Sequence, residues 1–173
     1  SAADMGHTVR IYEKNEKLGK KVYITGKGRC NITNASELEE VFKNVVTNPK
    51  FMYSAFYTLT NDMVIDMFSD DFKVPVKIER GNRVFPESDK SSDVIYGLTK
   101  ALEKRNVEVI LNTAVKELIV TENDEKKLVK GVILDDKTKD YADSVIVCTG
   151  GISYPQTGST GDGFKFAKDT NHT

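Results

Sequence analysis

Ser1-Ala2-Ala3-Asp4-Met5-Gly6-His7-Thr8-Val9-Arg10-Ile11-Tyr12-Glu13 decides how the rest of the chain is read. Small helix formers running into Gly6 have the pattern of a helix that ends on a glycine cap. The β-branched and aromatic run after it, residues 8–12, reads as a strand, and it closes on an acid, Glu13. A helix end feeding an acid-closed strand is the second half of a βαβ unit, so the expected class is α/β with a parallel sheet. The chain has no initiator Met and is expected to begin inside such a unit, after a strand and a glycine-rich turn. Its other end has the same character: residues 164–168 read as a helix just begun.

Outward from Glu13, residues 14–34 form a Gly- and Lys-rich connection with a short strand expected at Val22, Tyr23 and Ile24. Helical periodicity follows near 36–44, 50–58 and 62–69, the last with Met63, Val64, Met67 and Phe68 on one side. Pro75 marks residues 74–78 as an edge strand, Gly81-Asn82 as a turn, and residues 83–85 as its partner. Ser88 or Asp89 is placed to cap a helix in which Val94, Ile95, Leu98 and Leu102 recur every three or four residues. From Val107 the period becomes two: strands at 107–111, 115–120 and 128–134, with a polar turn at 122–125. Residues 144–149 are a continuous apolar run, the pattern of a strand buried on both faces of a parallel sheet, and they end in Gly150-Gly151.

Composition narrows the classes. The chain has 173 residues, 25 Lys+Arg against 26 Asp+Glu, a net charge of −1, 39% hydrophobic residues and 2 His. That length suits one domain or a large piece of one. Neutral charge removes a global argument for nucleic acid or an anionic membrane, and His7 and His172 lie too far apart in sequence to suggest a metal site. Two cysteines, Cys30 and Cys148, cannot form a secreted disulfide framework, so a cytoplasmic location is expected. No apolar run is long enough to span a bilayer and no signal peptide is evident. The N-x-[ST] matches at Asn31, Asn34 and Asn171 are therefore read as chance or turn chemistry.

Three segments could carry chemistry. Glu13 ends its strand where dinucleotide folds place an acid on ribose hydroxyls; a solvated surface Glu has the same sequence appearance. Residues 10–29 hold seven bases and two acids, a local charge of +5. Within them Gly19, Gly26 and Gly28 free the backbone to face an anion that Lys or Arg would neutralise, which suits a phosphate-bearing ligand. A solvated basic loop or a nucleic-acid patch is the alternative, though few aromatics are interleaved to stack bases. Residues 149–163 are glycine-rich and link the apolar run to a helix start, a natural place for a diphosphate. Gly158 and Gly163 have P-loop separation, but Phe164 and Lys165 stand where Lys and Ser or Thr would be needed.

Taken together, GKKVYITGKGRCNITN (residues 19–34), RVFPESDKSSDV (83–94) and VIVCTGGISYPQTGSTGDGFKFA (145–167) closely resemble the bacterial flavoproteins of the YhiN and BaiN type, NAD(P)/FAD-dependent oxidoreductases. The resemblance covers essentially the whole chain. It implies a partial FAD/NAD(P)-binding Rossmann-like domain with a β-meander and an inserted helical and β segment. The implied division is 1–34 and 106–173 in the FAD-binding domain, with 35–105 the insert. Family members begin with a strand and a G-x-G-x-x-G turn and continue further, so the chain resembles an internal piece, expected to bind FAD weakly or not at all by itself.

Carried over residue by residue, the resemblance puts Glu13 on the adenosine ribose and Lys20 and Lys21 in the basic stretch after it. Thr25, Gly26, Gly28, Arg29, Cys30 and Asn31 match the loop against flavin and diphosphate. Val115 matches a strand position whose backbone meets adenine. Thr149, Gly150 and Gly151 match the second cofactor turn, and Gly161, Asp162 and Gly163 the approach to the next helix. The implied chemistry is hydride transfer from NAD(P)H through FAD to an organic acceptor, such as an activated C=C bond of a small molecule, or to oxygen. Arg29, or backbone N–H groups near Gly161, could supply charge stabilisation. Cys30 has no C-x-x-C partner and reads as packing and Cys148 as core, while Tyr154 could donate a proton or line a pocket, with packing the favoured role. No metal, membrane or nucleic-acid partner is implied; a phosphate- or nucleic-acid-binding module without redox activity is the rival.

Overall fold

The strand expected after Gly6 forms as β1 (Arg10–Tyr12), preceded by a single 3-10 turn, Ala3–Met5, and by Gly6 in the left-handed region. In the computed structural model, which describes residues 1–123 and 126–172, the chain divides into two compact units. One is essentially Val22–Asn106; the other joins Asp4–Lys21 to the described residues from Val107 onward. The expectation of a strand at residues 22–24 is not met: they complete helix α1 (Lys20–Ile24), and Val22 packs on the core of Cys30, Val74 and Val94. A strand needs a neighbour's ladder to satisfy its backbone, and a helix satisfies its own.

The first unit is built on a three-stranded antiparallel sheet. Strand β2 (Thr33–Asn34) is followed by helices α2 (Leu38–Lys43), α3 (Tyr53–Thr58) and α4 (Asn61–Asp66), close to the three periodic stretches of the sequence. Thr60 caps α4, its hydroxyl accepting from the Met63 N–H. The helix then widens into a π-turn, Met67–Asp71, and Phe68 packs against the core. Strands β3 (Val76–Glu79) and β4 (Arg83–Pro86) complete the sheet in the order β2-β4-β3, with Ile78 opposite Val84. Central β4 carries Val84 and Phe85, both fully buried, whereas β3 is an edge, as Pro75 implies.

Helix α5 (Ser91–Lys104) covers this core with Val94, Ile95 and Ala101. At Gly97 it passes so near the 72–74 segment that a Cβ would lie 2.3 Å from Val74 and 2.8 Å from the Phe72 carbonyl. Neither Ser88 nor Asp89 caps it. Lys90 occupies the cap position, and the Asp89 carboxylate is engaged by Arg29 and Lys77 instead.

In the second unit β1 pairs in parallel with β5 (Glu108–Ile110), Ile11 opposite Val109. The pairing continues past the strand: Thr113 N–H donates to the Glu13 carbonyl and Asn112 N–H to that of Asn15, each at 3.0 Å. Strands β6 (Val115–Asn123) and β7 (Lys126–Leu134) form the expected antiparallel pair, and β8 (Lys139–Tyr141), which the periodicity does not predict, joins them as the third strand of the meander. Of the polar turn expected at 122–125, residues 124 and 125 lie outside the described residues. Arg10 joins β1 to Glu108 and Asp140, and Tyr12 donates to the same Asp140 carboxylate. Helix α6 (Asp162–Asp169) lies against β6 with Phe166 buried.

The apolar run 144–149 departs from expectation. Among the described residues no strand pairs with it, and Ile146 and Cys148 are exposed rather than core. Hydrophobicity favours burial, but strand geometry exists only where a ladder partner takes the backbone hydrogen bonds.

Candidate functional site

The residues singled out in the sequence divide between the two units. Glu13, Lys20, Lys21, Val115, Thr149, Gly150, Gly151, Gly161, Asp162 and Gly163 belong to the second, and Thr25, Gly26, Gly28, Arg29, Cys30 and Asn31 to the first.

In the second unit the segment after β1 is stitched to the glycine-rich loop. Glu13 Oε1 accepts from the backbone and side-chain N–H groups of Asn15, and the Asn15 amide also donates to the Thr157 carbonyl at 3.2 Å. Lys14 Nζ donates to Thr160 Oγ1 at 2.6 Å and Asp162 Oδ2 at 2.7 Å. Lys14 holds the Asp162 carboxyl below its ordinary value. Lys21 Nζ reaches the Ser153 carbonyl and hydroxyl and the buried Ser159 hydroxyl. Lys20, by contrast, pairs with Glu16 in the segment just before α1.

The loop's glycines allow that closeness. A Cβ on Gly158 would stand 2.6 Å from the Asn15 amide nitrogen, and one on Gly163 2.8 Å from Thr149 Oγ1. At Gly151 a Cβ would meet no atom within 4 Å, so the backbone there borders open space. Val115 follows the turn that the Glu13 and Asn15 carbonyls anchor, and pairs with Leu134 beside a bulge. Two ammonium groups, an acid closing a parallel strand and an accessible glycine backbone suit a diphosphate and a ribose.

In the first unit residues 26–30 form a turn that is left-handed at every residue but Arg29. Gly26, Lys27, Gly28 and Cys30 all have φ between 55° and 86°. Cys30 is buried; its N–H donates to the Thr25 carbonyl at 3.1 Å, and burial pushes its thiol up. The Asn31 amide, with its nitrogen toward the Val84 and Thr33 carbonyls, donates to both. Arg29 lies over the Phe85 ring, its charged carbon 4.0 Å from the centroid, and donates to Glu79 and Asp89. Arg29 holds the Glu79 carboxyl low, and Lys77 with Arg29 does the same for Asp89.

Sequence reasoning missed Lys14, Asn15 and Ser159 in one unit and Glu79, Phe85 and Asp89 in the other. Lys14 and Asn15 adjoin the acid already chosen; Glu79 had no signal short of its contact with Arg29. Among the described residues no cluster of His, Cys, Asp and Glu could hold a metal ion, and no helix is long and apolar enough to cross a membrane.

A parallel strand closed by an acid beneath a glycine-rich loop defines an α/β dinucleotide-type chain. The HI0933-like protein Rossmann domain matches residues 1–173, and the chain belongs to that family, the YhiN- and BaiN-type flavoprotein oxidoreductases its motifs resemble. It is 30% identical over 166 residues to a 3-dehydro-bile acid delta(4,6)-reductase of Clostridium scindens, covering 95% of this chain and 38% of that protein. It is 27% identical over 166 residues to a ribosomal RNA dihydrouridine synthase of Haemophilus influenzae, covering 96% and 40%. A protein of the same description from Escherichia coli is 25% identical over 167 residues, covering 96% and 39%. The chain thus spans about two fifths of the length of these curated relatives. The crystal structure of Thermovibrio ammonificans THI4 shares the fold, with a TM-score of 0.51 at 10% identity over 78% of this chain and 40% of that one.

Proposed function

We propose that this chain supplies FAD-contacting residues to an oxidoreductase that passes hydride from NAD(P)H to an organic acceptor. The observation that carries the reading is the convergence of Lys14, Asn15 and Lys21 on residues 153–162, beside Glu13 at the end of β1. Glu13 would accept from the adenosine ribose, Lys21 would balance the diphosphate, and the Val115 backbone would border adenine. Lys14, paired with Asp162, would tie the loop in place, and Lys20, paired with Glu16, flanks the site. Thr149, Gly150 and Gly151, with Gly161, Asp162 and Gly163, would let the backbone approach the cofactor. Thr25, Gly26, Gly28, Arg29, Cys30 and Asn31 would form the turn toward the flavin. FAD, when bound, supplies a ring that accepts and returns a hydride. The chain's own part is to bind, orient and exclude water, and no side chain is assigned as the proton donor.

For the acceptor we propose a carbon–carbon double bond conjugated to a carbonyl. The relatives' names support it: a delta(4,6)-reductase saturates such a bond, and dihydrouridine is uridine with its ring double bond saturated. A free small molecule is favoured by the ion pairs of the basic segment. Arg10, Lys14, Lys20 and Arg29 all face carboxylates, which leaves less positive charge for a polyanion than the +5 count suggests. The dihydrouridine synthase relatives favour a second reading, in which the acceptor is a uridine within RNA.

Flavin absorbance of the purified whole protein tests the cofactor. A colourless preparation that FAD cannot reconstitute would refute the reading. Following NADH and NADPH oxidation with a conjugated steroid ketone and with uridine-containing RNA separates the two acceptors.

A further inference from the structure

We propose that Glu79 and Asp89 are positioning residues for the flavin-side turn: they hold Arg29 over the Phe85 ring and so keep the turn at residues 26–30, with its left-handed Gly26, Lys27, Gly28 and Cys30, in shape. The inference rests on the reading that FAD is bound here, and it gives Arg29 a role other than direct charge stabilisation of the flavin.

Arg29 is engaged on several sides. Nη1 donates to Glu79 Oε1 at 2.8 Å and to Asp89 Oδ1 at 2.9 Å, and Nη2 to Glu79 Oε2 at 3.2 Å. Its guanidinium carbon lies over the Phe85 ring, 4.0 Å from the centroid. Lys77 Nζ, 2.6 Å from Asp89 Oδ2, fixes the second acid in turn. A planar fork held by one carboxylate through two bonds, and by another through a third, is oriented as well as neutralised.

The turn needs such a hold. Lys27 and Cys30 are side-chain-bearing residues at φ 58° and 62°, a strained conformation that persists only where surrounding contacts impose it. The buried Cys30 fixes one point of the turn and Arg29 the adjacent one. Gly26 completes the arrangement, since a Cβ there would sit 3.0 Å from the same Phe85 ring and 2.9 Å from the Asn31 nitrogen. The stretches around Arg29 and around Phe85 and Asp89, far apart in sequence, therefore act as one device.

The test uses the whole protein reconstituted with FAD and compares Glu79→Gln, Asp89→Asn, Arg29→Lys and Arg29→Ala. Each is expected to weaken FAD binding about 10-fold, with Arg29→Lys failing to rescue because an ammonium cannot replace the fork. Combining Glu79→Gln with Arg29→Ala should cost no more than Arg29→Ala alone, and the bound flavin's visible circular dichroism should shift alike in all four. Glu79→Asp, which keeps the carboxylate, should recover part of the affinity and shows that loss in the other variants is not misfolding. Normal FAD affinity in Glu79→Gln and Asp89→Asn beside a loss in Arg29→Ala would mean that Arg29 touches the cofactor directly, and would overturn the proposal. So would variants that melt earlier without any change in FAD affinity or flavin spectrum. A wild-type protein that takes up no FAD refutes the cofactor reading and the proposal together, whereas wild-type binding with unaffected variants refutes the proposal alone.

Discussion

The two glycine-rich stretches, 26–31 and 149–163, read alike in sequence and are held in different ways. The first is anchored in a core. Cys30 is buried, Phe85 lies beneath Arg29, and two carboxylates close on its guanidinium. The second is anchored by side chains that reach it from the segment after β1: Lys14, Asn15 and Lys21, all short of full burial. A loop fixed by packing is stable in proportion to its core. A loop fixed by partly solvated lysines keeps its shape at little cost in stability and yields more readily to a ligand.

The difference is sharpest in the thiols. Cys148, exposed just before the second stretch, should react with a thiol reagent on mixing, whereas Cys30 should wait for unfolding; burial also pushes its thiol up, away from the reactive thiolate. Equal rates in a native sample would erase the contrast. Phe85→Ala removes the ring under Arg29 from the buried core, and about 3–5 kcal/mol of stability should go with it in denaturant titration. Gly97→Ala forces a methyl into Val74 and the Phe72 carbonyl behind the same core, an overpacking cost of about 1–3 kcal/mol, again by denaturant titration. Hydrogen exchange should then rise at residues 26–31 more than at 149–163.

Lys14→Met should do the reverse: under about 1 kcal/mol in stability, with faster exchange confined to residues 157–163. The smallest effect is that of acid. Glu79, Asp89 and Asp162 all have folded-state carboxyls lowered from ordinary values of 4.5 and 3.8 by cationic neighbours. Their support is therefore fully present above those values and is lost as pH falls below them through the folded-state values. Exchange at both stretches should be flat from pH 7 to 5 after correction for intrinsic rates and should rise below about pH 4. A rise centred near pH 6 would point to a different group.

How far the sequence could be read depended on which interaction decides each element. The strand at Arg10–Tyr12, helix α5 and the β6–β7 pair follow from local periodicity and form within three residues of where periodicity puts them, whereas β8 is not among the strands it predicts. The edge position of β3 follows from one proline. Val22, Tyr23 and Ile24 have strand composition yet form a helix, because Val22 finds a core to bury in and the backbone finds no strand beside it. Asp89 has the right type and place for a cap, but cations 2.6 and 2.9 Å away claim its carboxylate.

The class is legible in the residues alone: an acid closing a parallel strand, glycines where a backbone must come close, and a motif series specific enough to place the family. Those features are local, set by backbone conformation and the chemistry of neighbouring residues. What each charge does depends on the fold. Coulomb attraction and hydrogen bonding fall off over a few ångströms, and the carboxylates that meet Arg29 and Lys14 lie 50 or more residues away in the chain. Seven bases in a row of twenty residues read as a site for anions; folding turns four of them toward the protein's own acids.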